Sequence, residues 1–175
     1  RSHFVLDGRV DRRTPPVRLP LRIDAERFAF QEWSGVLNGL KNIAIESQFN
    51  VELDGPLAAL QADLTLRSNG GNVRGGFVLN TTVPGWQAKG VVDVEPLDLA
   101  AWLNRADRPS HISGHVTFGL TDVGRRAGGR FPVGTYAFDG GHTGYLDYPA
   151  DSLKARGTLT PTAAQIASAT GKAYG

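Results

Sequence analysis

The chain has 175 residues, of which 41% are hydrophobic and 21% charged, a composition that excludes bulk disorder. Its 19 basic and 17 acidic residues leave a net charge of +2, and the basic ones form no stripe with interleaved aromatics, which argues against nucleic-acid binding. The absence of Cys excludes disulfides and Cys metal sites, and no run of 18 apolar residues could span a membrane. The 22 Gly and 10 Pro are typical of a β-rich, turn-rich protein.

Two strands are predicted at the start of the chain, over residues 4–10 and 17–23. Apolar and polar residues alternate in both, and successive side chains of a strand point to opposite faces. Pro20 lies within the second strand and lacks the N–H that a central strand donates to its neighbour. The second strand is therefore predicted to lie at an edge of the sheet or to have one unpaired side.

The next segment changes from a period of two to a helical period. Its apolar residues fall on one helix face: Phe30, Trp33, Leu37 and Leu40. This spacing predicts a short amphipathic helix over 30–40. The longest alternation in the chain follows over 43–53, where the odd-numbered residues are apolar except for one Ser. We expect this strand to organise the sheet, with one apolar face and one wet face.

Three further strands are predicted over 60–66, 73–79 and 86–94, again from alternation of apolar and polar residues. The sequence SNGG at 68–71 is a strong turn signal and joins the first two strands as a hairpin. A second short amphipathic helix is predicted from the spacing of Leu99, Trp102 and Leu103. We expect the Trp residue of each predicted helix to cap an end of the sheet.

The C-terminal part of the chain continues the β pattern around a basic, Gly-rich loop at 124–130. Strands are predicted at four places: 112–120, 131–139, 153–159 and, with a weaker signal, 145–148. The tail from Pro161 is rich in Ala, and its periodicity does not decide between a helix and a strand.

Glycine recurs on the apolar side of five predicted strands, in the pattern apolar, polar, Gly, any residue, apolar. The five glycines are Gly8, Gly75, Gly90, Gly114 and Gly157. Their spacing is irregular, so the pattern is not that of a fixed-period solenoid. We favour a curved sheet whose tight side has no room for side chains, and the alternative is the close approach of a ligand.

No group of residues in the sequence predicts catalysis or metal binding. His111 and His115 are four residues apart, but in a strand this spacing separates the rings by about 13 Å, so a solvated strand face is expected. The stretch 140–144 lacks the Gly-Lys-Ser/Thr ending of a phosphate loop and is predicted to be a turn. The Arg residues at 12–13 and 125–130 are predicted to be solvated loop charges. We therefore expect no enzymatic activity, no catalytic residues, no metal and no cofactor.

Three segments occur in an order that resembles the AsmA-like proteins, in particular the TamB-type translocation and assembly modules: LDGPLAAL (53–60), VRGGF (73–77) and VEPLDLA (94–100). The resemblance covers residues 17–120 best. It implies a periplasmic parent protein, anchored in the inner membrane by a segment outside this chain, whose open β-groove carries phospholipid acyl chains between membranes and assists outer-membrane assembly. It further implies neighbouring β-segments of the same parent chain and an outer-membrane barrel protein as partners, and no catalytic residues.

The pattern and the resemblance predict one β-rich groove segment over 1–175, a fragment of a longer chain. Its fold would be mostly β, with long antiparallel strands in a curved, one-sided apolar sheet (an open β-groove or β-taco) and two short amphipathic helices. The groove would be lined by Ile43, Ile45, Phe49, Val51, Leu53, Leu64, Leu66, Phe77, Leu79, Val92, Val116 and Phe118. Alternation alone leaves open a second architecture, a structural or protein-binding β-sandwich that binds through edge-strand addition.

Overall fold

The computed structural model describes residues 2–10, 16–33, 43–122 and 132–173, which form one sheet of ten antiparallel strands. In chain order the strands are β1 (His3–Gly8), β2 (Leu21–Ala29), β3 (Glu46–Asp54), β4 (Leu60–Ser68), β5 (Gly71–Asn80), β6 (Gln87–Leu97), β7 (Ser110–Thr121), β8 (Val133–Tyr145), β9 (Tyr148–Leu159) and β10 (Ala164–Ala173). Each strand pairs with its neighbours in sequence, and β1 and β10 are not paired with each other. The prediction of a mostly β, antiparallel, open sheet is confirmed.

Two short helical segments accompany the sheet. A 3-10 helix (Phe30–Trp33) follows β2, and α1 (Leu99–Leu103) follows β6. Of the helix predicted over 30–40, the structure describes only the first four residues, which form the 3-10 helix. Residues 34–42 lie outside the described part of the chain.

The second strand differs from its prediction at both ends. It was predicted over 17–23, whereas β2 begins at Leu21, directly after Pro20, which has no N–H to donate. The preceding segment makes only an isolated bridge, between Arg18 and Pro56. β2 then continues to Ala29 because it pairs with β3 as far as Glu46. It pairs with β1 as well as β3, so the prediction of an edge strand is wrong.

The strand predicted over 43–53 is β3, which begins at Glu46. The residues just before β3 and at its first position bond to other parts of the chain. The backbone N–H of Ala44 donates to the carbonyl of Trp102, over 3.4 Å, and the N–H of Glu46 donates to the side chain of Asn69. Ile43 and Ile45 therefore precede the strand in which they were predicted.

The C-terminal predictions need two corrections. The stretch 140–144 is not a turn but part of β8, where Gly141 pairs with Ser152 of β9. The weak strand at 145–148 contains the β8–β9 turn, in which Leu146 has a φ of 54°. The Ala-rich tail forms β10. The loop predicted at 124–130 lies outside the described residues.

The pairing register places the apolar residues of successive strands opposite one another, so they share one side of the sheet, the apolar face. One row crosses all ten strands in order: Leu6, Ile23, Val51, Leu64, Gly75, Val92, Val116, Phe138, Ala155 and Ala169. No polar side chain interrupts this row. At a strand spacing of about 4.8 Å, it is about 43 Å long.

The opposite side of the sheet is polar and carries ion pairs between neighbouring strands. Arg27 of β2 lies 2.8 Å from Glu46 of β3, and Lys154 of β9 lies 2.6 Å from Asp139 of β8. All four side chains are more than half exposed, so these pairs contribute little to stability. The free energy that holds the sheet together comes mainly from its ladders and its apolar face.

The five glycines of the sequence pattern all lie on the crowded, apolar side. A Cβ atom added to Gly75, Gly90, Gly114 or Gly157 would lie within 3.0 Å of a backbone oxygen of the neighbouring strand, and one added to Gly8 would lie 2.8 Å from the carbonyl oxygen of Pro20, just before β2. Real Cβ atoms essentially never approach so closely. The crowding favours the prediction of a curved sheet whose tight side excludes side chains over the alternative of space kept for a ligand.

Candidate functional site

The candidate site is the apolar face, which contains the predicted groove lining. Ten of the twelve predicted residues lie on this face in strands, and Ile43 and Ile45 lie just before β3. Ile45 and Leu66 are buried, with exposures of 1% and 7%. The remaining ten are half-buried: Ile43, Phe49, Val51, Leu53, Leu64, Phe77, Leu79, Val92, Val116 and Phe118.

Half-burial distinguishes this face from the core of a sandwich. In a sandwich, a second sheet about 10 Å away covers the inner side chains. Here the described residues form a single sheet, and the only large side chains with less than 2% exposure are Ile45 and Leu60. Within the described part of the chain, the apolar face therefore remains accessible from one side.

Aromatic rings close one rim of this face, at the ends of β2 and β6. The ring centroids of Phe28 and Phe49 are 5.1 Å apart, those of Phe28 and Phe30 are also 5.1 Å apart, and those of Phe30 and Trp102 are 6.4 Å apart. We call these four residues the aromatic rim. They connect β2 and β3 to α1 across the intervening β4–β5 hairpin.

Trp102 is fixed in place at the aromatic rim. Its indole Nε1 donates to the carbonyl of Gly70, over 2.9 Å. Gly70 allows this approach, because a Cβ there would lie 2.8 Å from the indole Cδ1 and 2.9 Å from Ile45 Cγ2. Trp102 thus covers the β4–β5 turn, as expected for a cap on the sheet end. The side chain of Trp33 lies outside the described set.

The helix that carries Trp102 depends on a capping carboxylate. Asp98 Oδ1 accepts hydrogen bonds of 3.0 Å from the N–H groups of Ala100 and Ser110. Ser110 Oγ in turn accepts from the N–H of Leu99 over 2.7 Å and donates to the Leu97 carbonyl. These bonds join the start of α1 to the start of β7.

Replacing Asp98 by Ala is expected to destabilise the protein by about 1 kcal/mol, because a helix loses its N-cap acceptor and two N–H donors lose their partner. The emission of Trp102, read in a Trp33→Phe, Trp86→Phe background, should shift to the red as the indole becomes more exposed. Asp107→Ala, in the loop after α1, is the matched control and should leave both readings unchanged, because Asp107 pairs with Arg105 at an exposed site. An unchanged free energy of unfolding for Asp98→Ala would show that the cap does not hold α1.

The rim at the other ends of the strands is polar. Asn80 Oδ1 accepts hydrogen bonds from both the N–H and the hydroxyl of Thr82, and Thr81 Oγ1 donates to the Leu57 carbonyl. Gln87 and Thr121 pair across β6 and β7 at the same strand ends, and their side chains, like that of Asn80, point to the polar side of the sheet. We call Asn80, Thr81, Thr82, Gln87 and Thr121 the polar rim. The strand ends on this side of the sheet therefore carry polar groups, whereas those near Trp102 carry aromatic rings.

Two cavities lie at strand ends, and most of the strand residues that line them belong to the polar side of the sheet. One, of about 450 Å³, includes Asn80, Gln87 and Thr121 of the polar rim. The other, of about 540 Å³, lies at the ends of β1 to β4 and includes Leu53, the one predicted lining residue in either cavity. Neither cavity is lined by a residue of the row that crosses the ten strands.

The structure adds residues to the predicted lining. Leu60, Ala62, Ala88 and Val94 are buried on the apolar face. They alternate in the same strands as the predicted residues, so the same signal could have identified them. Tyr136 was also missed. Its hydroxyl donates to the Gln165 carbonyl over 3.2 Å, above Gly157, a contact between strands that alternation cannot reveal.

Titratable groups lie on the polar side of the sheet. His115 contacts Asp93 of β6, while His111 is exposed. A hydrogen bond from Arg22, with a second from Asn50, lowers the pKa of Asp24 below its usual value. Among the residues that the structure describes, no group of three or more His, Asp or Glu is placed to hold a metal ion.

Comparison of the chain with protein-family models, with curated proteins and with solved structures finds no match. The resemblance to AsmA-like proteins therefore stays a prediction from the three segments in which it was found. None of the helices in the described ranges is long and apolar enough to cross a membrane.

Proposed function

We propose that the apolar face binds phospholipid acyl chains, and that the chain is a non-enzymatic segment of a lipid-transfer protein of the AsmA-like, TamB type. The observation that carries the proposal is the apolar row through Val51 and Val116, which crosses ten strands without a polar side chain and is half-buried along most of its length. A half-buried apolar face of this extent on one sheet is characteristic of a binding surface.

The length of the row suits acyl chains. It is about 43 Å long, whereas the hydrocarbon of one lipid leaflet is about 15 Å thick, half of a bilayer core. Each methylene group that leaves water contributes about 0.8 kcal/mol, so ten of them against the face would contribute about 8 kcal/mol. Covering the half-buried Leu, Val and Phe side chains adds to this gain.

The difference between the two rims supports an orientation for the bound lipid. The Trp102 N–H is already bonded to Gly70, so the aromatic rim offers a headgroup mainly apolar surface. At the polar rim, Thr81 and Thr82, which directly follow β5, carry hydroxyl groups. Headgroups would lie at the polar rim and acyl chains against the apolar face. The predicted periplasmic location, the inner-membrane anchor and an outer-membrane barrel partner belong to the same proposal.

A photo-crosslinking amino acid at Val116 tests the proposal. Val116 lies on the apolar face and the adjacent Thr117 on the polar side, so neighbouring positions of one strand sample the two faces. The proposal expects phospholipid to crosslink to position 116 and not to position 117, with lipid also detected in the purified protein by native mass spectrometry. A folded protein that captures no lipid at position 116, or equal amounts at both positions, contradicts it.

One observation favours a second function, strand addition to a partner protein. β1 pairs on one side with β2, and its other side is an edge of the sheet. An edge strand can accept an extended segment through main-chain hydrogen bonds. This function does not require lipid and is separable from the first by the crosslinking result.

A further inference from the structure

The cavity of about 450 Å³ at the polar rim contains an unpaired positive charge. Of the described residues that line it, only Lys89 is charged. Within the described part of the chain, the ammonium group of Lys89 has no hydrogen-bond or ion-pair partner, and the side chain is exposed. Lys154, on the polar side of β9, differs, because its ammonium group lies 2.6 Å from the carboxylate of Asp139.

The pairing register explains why no carboxylate neutralises Lys89. Lys89 of β6 lies between Val78 of β5 and Gly119 of β7. Along β6, its neighbours on the same side of the sheet are Gln87 and Val91. All four neighbours are uncharged. An anion that enters the cavity therefore meets a positive charge without displacing an existing ion pair.

Gly119 leaves open space beside Lys89. A Cβ atom added at Gly119 would have a single near neighbour, Thr135 Oγ1, at 3.9 Å. At Gly75 and Gly90, on the crowded apolar side, an added Cβ would instead meet backbone atoms closer than 3.0 Å. Two strand spacings of about 4.8 Å separate Lys89 from Thr135 across Gly119. The floor of the cavity next to the ammonium group is thus bare backbone.

Neutral hydrogen-bond donors lie in the row next to Lys89. Asn80, Gln87 and Thr121 pair across β5, β6 and β7, and all three line the cavity. Asn80 Oδ1 already accepts two hydrogen bonds from Thr82, so Asn80 Nδ2 is left to donate. The amide of Gln87 and the hydroxyl of Thr121 have no partner among the described residues. The lining therefore combines one cation with three neutral donors and, within the described ranges, no carboxylate.

The wall of the cavity is held in place by the chain itself. Ala58 and Ala59, in the connection between β3 and β4, line the cavity. The Leu57 carbonyl accepts hydrogen bonds from the N–H and the hydroxyl of Thr81, over 2.9 Å and 3.1 Å. The Ala59 N–H donates to the Pro56 carbonyl over 2.8 Å. These bonds fix the connection to the end of β5, and a preformed site loses less conformational entropy when a ligand binds.

We propose that this cavity binds a phosphate group, with Lys89 as its counter-ion. Lysine binds phosphate as a point charge, whereas the planar fork of arginine is better matched to a carboxylate. The several acceptor oxygens of a phosphate group suit the cluster of donors around Lys89. The cavity also lies within the usual volume range of small-molecule sites, about 300–1,000 Å³.

The inference goes beyond the binding of acyl chains and does not depend on it. Lys89 points to the polar side of the sheet, opposite the apolar face. A soluble phosphate ester and a phospholipid headgroup both carry the chemistry that the cavity recognises. Inorganic phosphate has no acyl chain, so a titration with it can fail while lipid binding by the apolar face holds.

Titration of the 175-residue chain with inorganic phosphate, at constant ionic strength, is the first test. The amide NMR signals of Lys89 and Gly119 should shift saturably, and acetate should cause no such shift. Lys89→Gln should weaken the binding of phosphate about tenfold or more, because a charged hydrogen bond is lost. Lys154→Gln removes the same charge from a paired lysine and should leave the affinity unchanged. No saturable shift in the wild-type chain, an equal response to acetate, or equal losses in the two variants overturns the proposal.

A valine at Gly119 tests the position of the site. Gly119→Val should fold, since the nearest atom to its Cβ is 3.9 Å away and valine favours strands, yet its side chain would occupy the floor of the cavity. We expect it to abolish the saturable response to phosphate. Gly76→Val is the matched control at a glycine of β5 that does not line the cavity. Undiminished phosphate binding by Gly119→Val, with both variants folded by circular dichroism, contradicts the assignment.

Two further probes distinguish the sources of the phosphate group: glycerol phosphate in solution, and vesicles of phosphatidylcholine and phosphatidic acid. Vesicle binding that falls for Lys89→Gln and not for Lys154→Gln assigns the site to a lipid headgroup. Unchanged vesicle binding, with loss of glycerol phosphate binding in Lys89→Gln, assigns it to a soluble ester. Both results support a phosphate site at Lys89. If Lys89→Gln binds both probes as the wild-type chain does, the proposal is overturned.

Discussion

Alanine at Gly75 is expected to lower the free energy of unfolding by about 1–3 kcal/mol, the usual cost of overpacking. Gly75 lies on the apolar face between Leu64 and Val92. A new Cβ there would meet the carbonyl oxygen of Val91 and the Cα of Val92, both closer than 3.0 Å. These are backbone atoms of a paired strand, so they cannot move aside without disturbing the β5–β6 ladder.

The adjacent Gly76 is a matched control in the same strand. A Cβ at Gly76 would point to the polar side, where its nearest neighbour is the carboxylate oxygen of Asp63, 3.2 Å away on a flexible side chain. Gly76→Ala should therefore be neutral, or stabilise by up to about 1 kcal/mol through the unfolded state. Chemical denaturation of both variants measures the difference. Equal stability of the two variants would show that the apolar side is not crowded.

Aspartate at Phe77 should weaken the binding of phospholipid at least about tenfold. Phe77 lies on the apolar face, and its ring is 6.1 Å from that of Phe118, above Gly90. The substitution removes an aromatic contact worth about 1.5–3 kcal/mol and adds a charge that an acyl chain would have to desolvate. A change of about 1.4 kcal/mol already corresponds to a factor of ten in affinity.

Val78→Asp is the control for this variant. Val78 points to the polar side between Gln61 and Lys89, where a carboxylate finds a hydrogen-bond donor and a positive charge. The lipid content of each purified protein is measured by mass spectrometry, at a temperature at which circular dichroism shows that both are folded. Equal lipid content in the two folded variants would mean that the apolar face does not hold the lipid.

The strands could be predicted from the sequence because the alternation of apolar and polar residues that specifies them lies within each strand. Alternation over 43–53, 60–66 and 73–79 decides which side of each strand is apolar, and the SNGG turn fixes one hairpin. The structure places these strands side by side, with Val51 opposite Leu64. Five of the nine connections between the described strands have two to six residues, and consecutive strands joined by such short turns commonly become neighbours.

Other elements depended on interactions that a local pattern does not contain. Phe28 and Ala29 remain extended because β3 supplies pairing partners for them. The glycines at 140–144 are held in a strand by β7 and β9 on either side, where local chemistry alone favours a turn. Trp102 was recognised as a cap, but its bond to the Gly70 carbonyl requires the fold.

The sequence predicted on which face of the sheet the lining residues lie, but not how deeply each of them is buried. All the lining residues that lie in strands are on the apolar face, because alternate residues of a strand point to the same side of the sheet. Their degree of burial depends on what lies above the sheet, which alternation does not encode. Ile45 is buried because it lies beside Trp102 and Gly70, whereas Val51 and Val116 are half-buried.

The strictly sequential order of the strands has a consequence for how the protein folds. Each strand borders the one before it and the one after it, so closing a hairpin brings together residues that are near in the chain. Such a sheet has a low contact order for a β protein, and it grows as a zipper from any hairpin that forms first. Cooperativity should then fall off with distance along the sheet, so we expect that loss of order at β10 leaves β2 to β5 folded.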